Sequence, residues 1–263
     1  MKKIAIFFYL LTISMAFLCL ACEFKLKPNE ENDVSLQMSV QRYDRLESRY
    51  LTTGDFAALQ QMNTDYPMET RTLIEDMLQL GEVNDPGINS RFLNFYQDSA
   101  LQAVIADVET QYADMSDIDE QLRKSFSRLQ KLLPSLPTPS VYAQIGAFGQ
   151  SIVVGEEMIA ISLDKYLGAD YPLYAALFDA HQRQTMTRNN IVPDCLVFFV
   201  LSHFPMSNFE KSTQEERDTH MGRVMWVANK ALGKQFFKTS HAIAAGKYLQ
   251  AHPQTKLEDF LSV

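Results

Sequence analysis

The sequence predicts an α+β fold: a mostly helical single domain carrying a small antiparallel sheet. Three observations lead there. From Asp55 to Tyr112, and again after Asp117, apolar residues recur at helical spacing. Between Val141 and Leu163 they form β-type runs on either side of Gly155-Glu156-Glu157. No Pro/Gly/Ser-rich linker, internal repeat or low-complexity stretch divides the chain, and its 46% of apolar residues is ample for one core.

The chain opens with Lys2 and Lys3 before an apolar run from Ile4 to Ala21, broken only by Thr12 and Ser14. A basic head, an apolar stretch and a small residue before the cut describe a secretory signal peptide over residues 1–21. Ala21 stands directly before Cys22, which is the lipoprotein form of that signal. Cleavage would make Cys22 the first mature residue, and its thiol would carry a diacylglycerol, with palmitate-type acyl chains. Cys19 is the poorer lipidation site, because Leu18 precedes it. The alternative is an uncleaved anchor, since the run is just long enough to span a bilayer. Both readings place the rest of the chain in the cell envelope, at its periplasmic or surface face. Residues 22–33 are polar, carry charges of both signs and read as a tether, so the globular domain is expected over 34–263.

The net charge of −8 becomes more acidic still once Lys2 and Lys3 are removed. Nucleic acid is a poor partner for such a chain, because phosphate binding rests on Lys and Arg releasing counterions. Anionic lipid heads would repel it, so the acyl chains must anchor it. With Cys22 acylated, only Cys195 remains in the mature chain and no disulfide is available. Cys195 lies in a run of apolar residues, where a buried, inert thiol is expected.

The elements follow in order. Val34, Leu36, Met38 and Val40 alternate with polar residues, as in a half-buried strand, and Arg42-Tyr43-Asp44 follows. Phe56, Leu59 and Met62 share a helix face; so do Leu73, Met77 and Leu80, with Gly81 placed to end that helix. Leu101, Val104, Ile105, Val108 and Tyr112 make the strongest stripe. Asp117 and Glu120 have capping-box spacing before Ile118, Leu122, Phe126, Leu129 and Leu133. Pro134, Pro137 and Pro139 then make a stiff connector. Residues 141–148, continued by 151–154, read as one strand and 158–163 as its antiparallel partner, with a turn at 155–157. Residues 173–186 are helical in pattern. A buried helix starts near Pro193, runs to His203 and stops before Pro205. Thr213 and Glu216 form a second capping box before a long helix through Trp226, and Ser240 and Thr255 read as caps of the last two helices.

The order of these pieces carries a resemblance. Leu133-Pro-Ser-Leu-Pro-Thr-Pro-Ser-Val-Tyr142, Gln150-Ser-Ile-Val-Val-Gly155, Ile161-Ser-Leu-Asp-Lys-Tyr-Leu-Gly168, Asp170-Tyr-Pro-Leu-Tyr174 and Arg188-Asn-Asn-Ile-Val-Pro-Asp194 follow an early Arg42-Tyr43-Asp44. Over residues 34–205 this resembles the gliding-motility lipoprotein GldB family of the Bacteroidetes. The resemblance implies an exported lipoprotein that works with envelope proteins of the gliding or secretion machinery, and it implies no settled biochemical activity. The family's layout looks like a degenerate zincin, a remote relative of zinc metallopeptidases.

Such enzymes carry H-E-x-x-H on a buried helix, because two His at i and i+4 can share one Zn²⁺. Here Asp194–His203 holds one His and no Glu, and no two of His181, His203, His220, His241 and His252 are four apart. A zinc site would have to gather His181, His203 and His220 from distant positions. There is no G-x-S-x-G and no phosphate loop, so no complete catalytic motif and no cofactor is expected. Asp164, at a corner after a strand, and Asp194 are candidate structural or binding residues. Trp226 is either core or an interface anchor. Two function classes follow: an envelope lipoprotein acting by protein–protein contact, and a divergent zinc-dependent hydrolase or peptidase.

Overall fold

Strand β2 (Ser140–Gln144) does not run on to residue 148 as its apolar sequence suggests. Ala147 and Phe148 take positive φ of 48° and 63°, and the chain turns away. It returns as β3 (Ile152–Val154) and then β4 (Met158–Ser162). The turn at 155–157 joins β3 to β4 as an antiparallel hairpin, but β4 pairs with β2 in parallel, Ala143 opposite Ile161. A short β1 (Val40–Gln41) adds in parallel to the far side of β2, giving the order β1-β2-β4-β3. The sheet is therefore mixed, not antiparallel. Apolar runs specify that a strand is buried, not its direction of pairing, and here the turn at 147–148 sets the direction.

A computed structural model describes residues 37–262 of the chain. The signal peptide, Cys22, the tether and the expected strand start at 34–36 lie outside the described residues. The helices are α1 (Tyr43–Thr53), α2 (Phe56–Asp65), α3 (Pro67–Arg71), α4 (Ile88–Phe95), α5 (Ser99–Gln111), α6 (Ser116–Leu132), α7 (Tyr174–Leu177), α8 (Ala180–Thr185), α9 (Ile191–His203), α10 (Gln214–Leu232), α11 (Ser240–Ala251) and α12 (Leu257–Leu261). The fold is thus α+β, mainly helical, and the described residues form one compact unit. Helix α1 packs on β2, and α9 packs on β3 and β4.

Local chemistry explains most helix ends. Asp55 accepts from the Ala57 amide, and Asp98 from those of Ala100 and Leu101. Thr213 and Glu216 close the expected capping box: the Thr213 amide donates to Glu216 Oε2 at 2.7 Å and the Glu216 amide to Thr213 Oγ1 at 3.3 Å. Gly233, at φ 71°, ends α10. Helix α9 is buried along nearly its whole length, as its sequence requires.

Other expectations need correction. Helix α1 was not legible as a helix. Asp117 does not cap α6; it sits in the first turn and is taken by Arg188, while Glu120 pairs with Lys124. The chain from Pro67 passes from α3 into a π-helical turn over Thr72–Met77, which places Met77 beside Gln144 of β2. Residues 173–186 break into α7 and α8. The cap of α11 is Thr239, one residue before Ser240, and α12 starts after Lys256 with no side-chain cap at Thr255. Phe56 and Phe198, expected on buried faces, are exposed.

Candidate functional site

Three of the segments that carry the family resemblance, 161–168, 170–174 and 188–194, meet Glu47 and Tyr96 in one hydrogen-bond network at the C-terminal ends of β2 and β4. Asp164 follows β4 and is fully buried. Its Oδ1 accepts from the Gly146 amide at 2.7 Å and its Oδ2 from the Phe148 amide at 2.5 Å. Glu47, fully buried on α1, accepts from the Ile145 amide at 2.8 Å through Oε2. Two carboxyl groups therefore hold three amides of the 145–148 turn, which sustains the positive φ of Ala147 and Phe148. Tyr96 donates its hydroxyl to the Ile145 carbonyl at 2.5 Å, and Tyr174 donates to the carbonyl of Asp164.

Tyrosines extend this network outward. The Tyr166 hydroxyl donates to Asp194 Oδ2 at 2.8 Å, and the Tyr112 hydroxyl donates to the Tyr166 carbonyl at 2.6 Å. Arg42, Arg45 and Arg188 then close around Tyr112. Arg42 grips Asp44 through two bonds of 2.9 and 2.7 Å and donates to the Tyr112 carbonyl at 2.8 Å. The same carbonyl accepts from Arg45 at 2.9 Å. Arg188 lies over the Tyr112 ring, 4.9 Å from its centroid, and clamps Asp117 and the Asp114 carbonyl.

Burial sets the proton affinities. It pushes the Glu47 carboxyl well above the usual carboxylate range, against the lowering effect of the Ile145 amide. Burial also raises Asp164, opposed by the Phe148 and Gly146 amides. It lifts Asp194 to about 7, opposed by the Tyr166 hydroxyl. Burial drives the Cys195 thiol well upward, so the group stays a protonated apolar filler. Glu47, Asp164 and Cys195 are enclosed in protein while Asp194 is half-buried, and the two enclosed carboxyl groups fix backbone.

The histidines stand apart from it. His181 is exposed on α8. His203, at the end of α9, has Nδ1 at 2.9 Å from the Phe199 carbonyl. His220 of α10 is buried; its Nε2–H donates to the Phe204 carbonyl at 3.0 Å, and burial lowers its proton affinity. Among the described residues no group of three or more His, Cys, Asp or Glu side chains is gathered so as to hold a metal ion.

The concave surfaces lie elsewhere. One groove, of about 680 Å³, runs between α10 and α11; half-buried Trp226 and Phe237 and exposed Ile243 line it, with Lys230, Lys234 and Lys247. Gly222 and Gly246 let the two helices approach closely. A Cβ on Gly222 would fall 2.4 Å from that of His241, and one on Gly246 would fall 2.7 Å from Trp226 Nε1. A second hollow, of about 540 Å³, is lined by Leu201, Pro205, Met206, Phe209, Met221 and His220.

Sequence reasoning singled out Asp164, Asp194, His220 and Trp226 but missed Glu47 and Tyr96. A signal for Glu47 existed: an acid four residues after Tyr43 and four before Leu51, on one helical stripe. A family model described as gliding motility protein GldB matches residues 24–240, past the Pro205 limit expected from the motifs. No curated protein and no solved structure gave a match.

Proposed function

The chain belongs to the family of gliding motility protein GldB, and from that premise we propose that it is a non-catalytic binding protein of the cell envelope, held to a membrane by acyl chains on Cys22. Its partners on this reading are envelope proteins of the gliding or secretion machinery. The observation that carries it is the commitment of Glu47 and Asp164 to the 145–148 turn, both fully buried. A hydrolase needs a base, a nucleophile or a metal-bound water facing an accessible cleft, and both of these carboxyl groups are fully buried. The lipid anchor is supported by the family's being one of lipoproteins. Among the described residues no helix is long and apolar enough to cross a membrane.

The alternative, a zinc-dependent hydrolase, would need His181, His203 and His220 to act together. Changing His181 and His203 to Ala decides between the two. On the binding reading, each variant restores the phenotype of a strain lacking the protein as well as the wild type does. Stoichiometric zinc in the purified full chain, lost with either variant together with function and with no change in melting, would overturn it.

A further inference from the structure

We propose that the groove between α10 and α11 docks an acidic segment, bearing an apolar anchor, of a partner protein. The proposal rests on the reading of this protein as a binding module and gives its partner a chemistry.

The groove reverses the charge of the molecule. The chain carries a net −8, yet the groove lining includes three lysines and no Asp or Glu. Among the described residues none of the three ammonium groups is in an ion pair. Lys230 lies 5.1 Å from the centroid of the Trp226 ring, and Lys234 lies 5.7 Å from that of Phe236. Lysines commonly gather at a helix C-terminus to meet its dipole and its open carbonyls. Here those carbonyls are already served. The Gly233 amide donates to Lys230 O and the Lys234 amide to Asn229 O. Arg128 donates to the carbonyls of Ala231 and Leu232 at 3.3 and 3.2 Å. Lys247 stands on the facing helix, outside its last turn, and answers no such need.

The walls are also fixed in advance. Asn229 Oδ1 accepts from the amides of Phe236 and Phe237, both at 2.9 Å, and its Nδ2 donates to the Phe237 carbonyl at 2.8 Å. The 234–237 loop is thereby held against α10, which lowers the ordering cost of binding. Trp226, Phe237 and exposed Ile243 offer an apolar floor between the cations, the pairing of aromatic anchor and charge that concentrates binding energy. A concave trough of this shape receives a chain segment better than it receives a flat lipid surface.

Trp226 is the only tryptophan, so its emission reports the groove directly. The full chain would be held in discs of neutral phosphatidylcholine and titrated with two short synthetic peptides. One is built of Glu, Asp and Ser with one Phe and one Leu; the other has Lys in place of every acid. The acidic peptide should shift the emission saturably, and the Lys peptide should not. Its half-saturation should rise roughly tenfold in a Lys234→Ser/Lys247→Ser variant, and similarly at high salt. Gln250→Glu, which adds an acid to the lining, should weaken binding without removing a cation. No saturable shift with the acidic peptide, or an unchanged half-saturation in both variants, overturns the proposal. So does an equal shift on adding phosphatidylglycerol to the discs without peptide, which would assign the groove to lipid. Failure here leaves the histidine test untouched, and failure of the histidine test leaves peptide binding measurable.

Discussion

Asp194 shows how a single half-buried side chain writes pH into stability. An aspartate in an unfolded chain titrates near 4, whereas in the fold burial holds Asp194 at about 7. Between those values the folded protein binds the extra proton. Stability from this group is therefore fully present below about pH 4 and is lost as pH climbs toward 7, by on the order of a few kcal/mol. Asp194→Asn keeps an acceptor for the Tyr166 hydroxyl and removes the titration. Its melting temperature should fall less than that of the wild type between pH 4 and 8, so the variant gains relative stability as pH rises. A residual slope of the same sign should remain, because burial also raises Glu47 and Asp164. Parallel melting profiles for the two proteins would show that Asp194 does not titrate in this window. Asp164, a second acid of the cluster, illustrates what local sequence hides: it stands at a corner after a strand, yet its oxygens accept from amides 18 and 16 residues away.

Among elements, the helices were the most legible and the sheet pairing the least. The stripes of α5 and α6, the buried run of α9 and the capping box of α10 are written in spacings of three and four residues, and the structure keeps them. The box at Asp117 failed because its competitor, Arg188, is 71 residues away. Strand β4 is legible as buried and as the antiparallel partner of 152–154 across the 155–157 turn; its parallel pairing with β2 is not, since that follows from the turn at 147–148 held by Asp164 and Glu47. The position of Ile161 still makes a sharp prediction. It is fully buried, opposite Ala143 on one side and Ile152 on the other. A side chain of that size contributes about 1.5–3 kcal/mol when buried, against a total stability of about 5–15 kcal/mol. Ile161→Asp places an unpaired charge there and should unfold or severely destabilise the domain. Glu157→Ala, in the exposed turn, should shift stability by less than about 0.5 kcal/mol. Similar melts for the two variants would mean that β4 is not the sheet's central apolar strand.

For the molecule as a whole, the proposed membrane location rests on Cys22, outside the described residues. Cys22→Ala should abolish labelling by a fatty-acid probe and leave an unprocessed precursor; persistent label with normal processing would assign the anchor elsewhere. The described part carries a different whole-molecule consequence. Its seam joins distant chain: β1 lies beside β2, and Glu47 reaches an amide 98 residues further on. A polypeptide is made from its N-terminus, so α1 to α6 exist before the strand that closes them does. Pairings of such span form late and slowly, because the intervening loop must first be ordered. Until the chain from Ser140 to Ile145 arrives, Glu47 remains in water without the amide that it holds in the fold. A chain arrested before Ser140 would hold helices with open apolar faces around an empty strand position, and that unfinished half is the form a chaperone would meet.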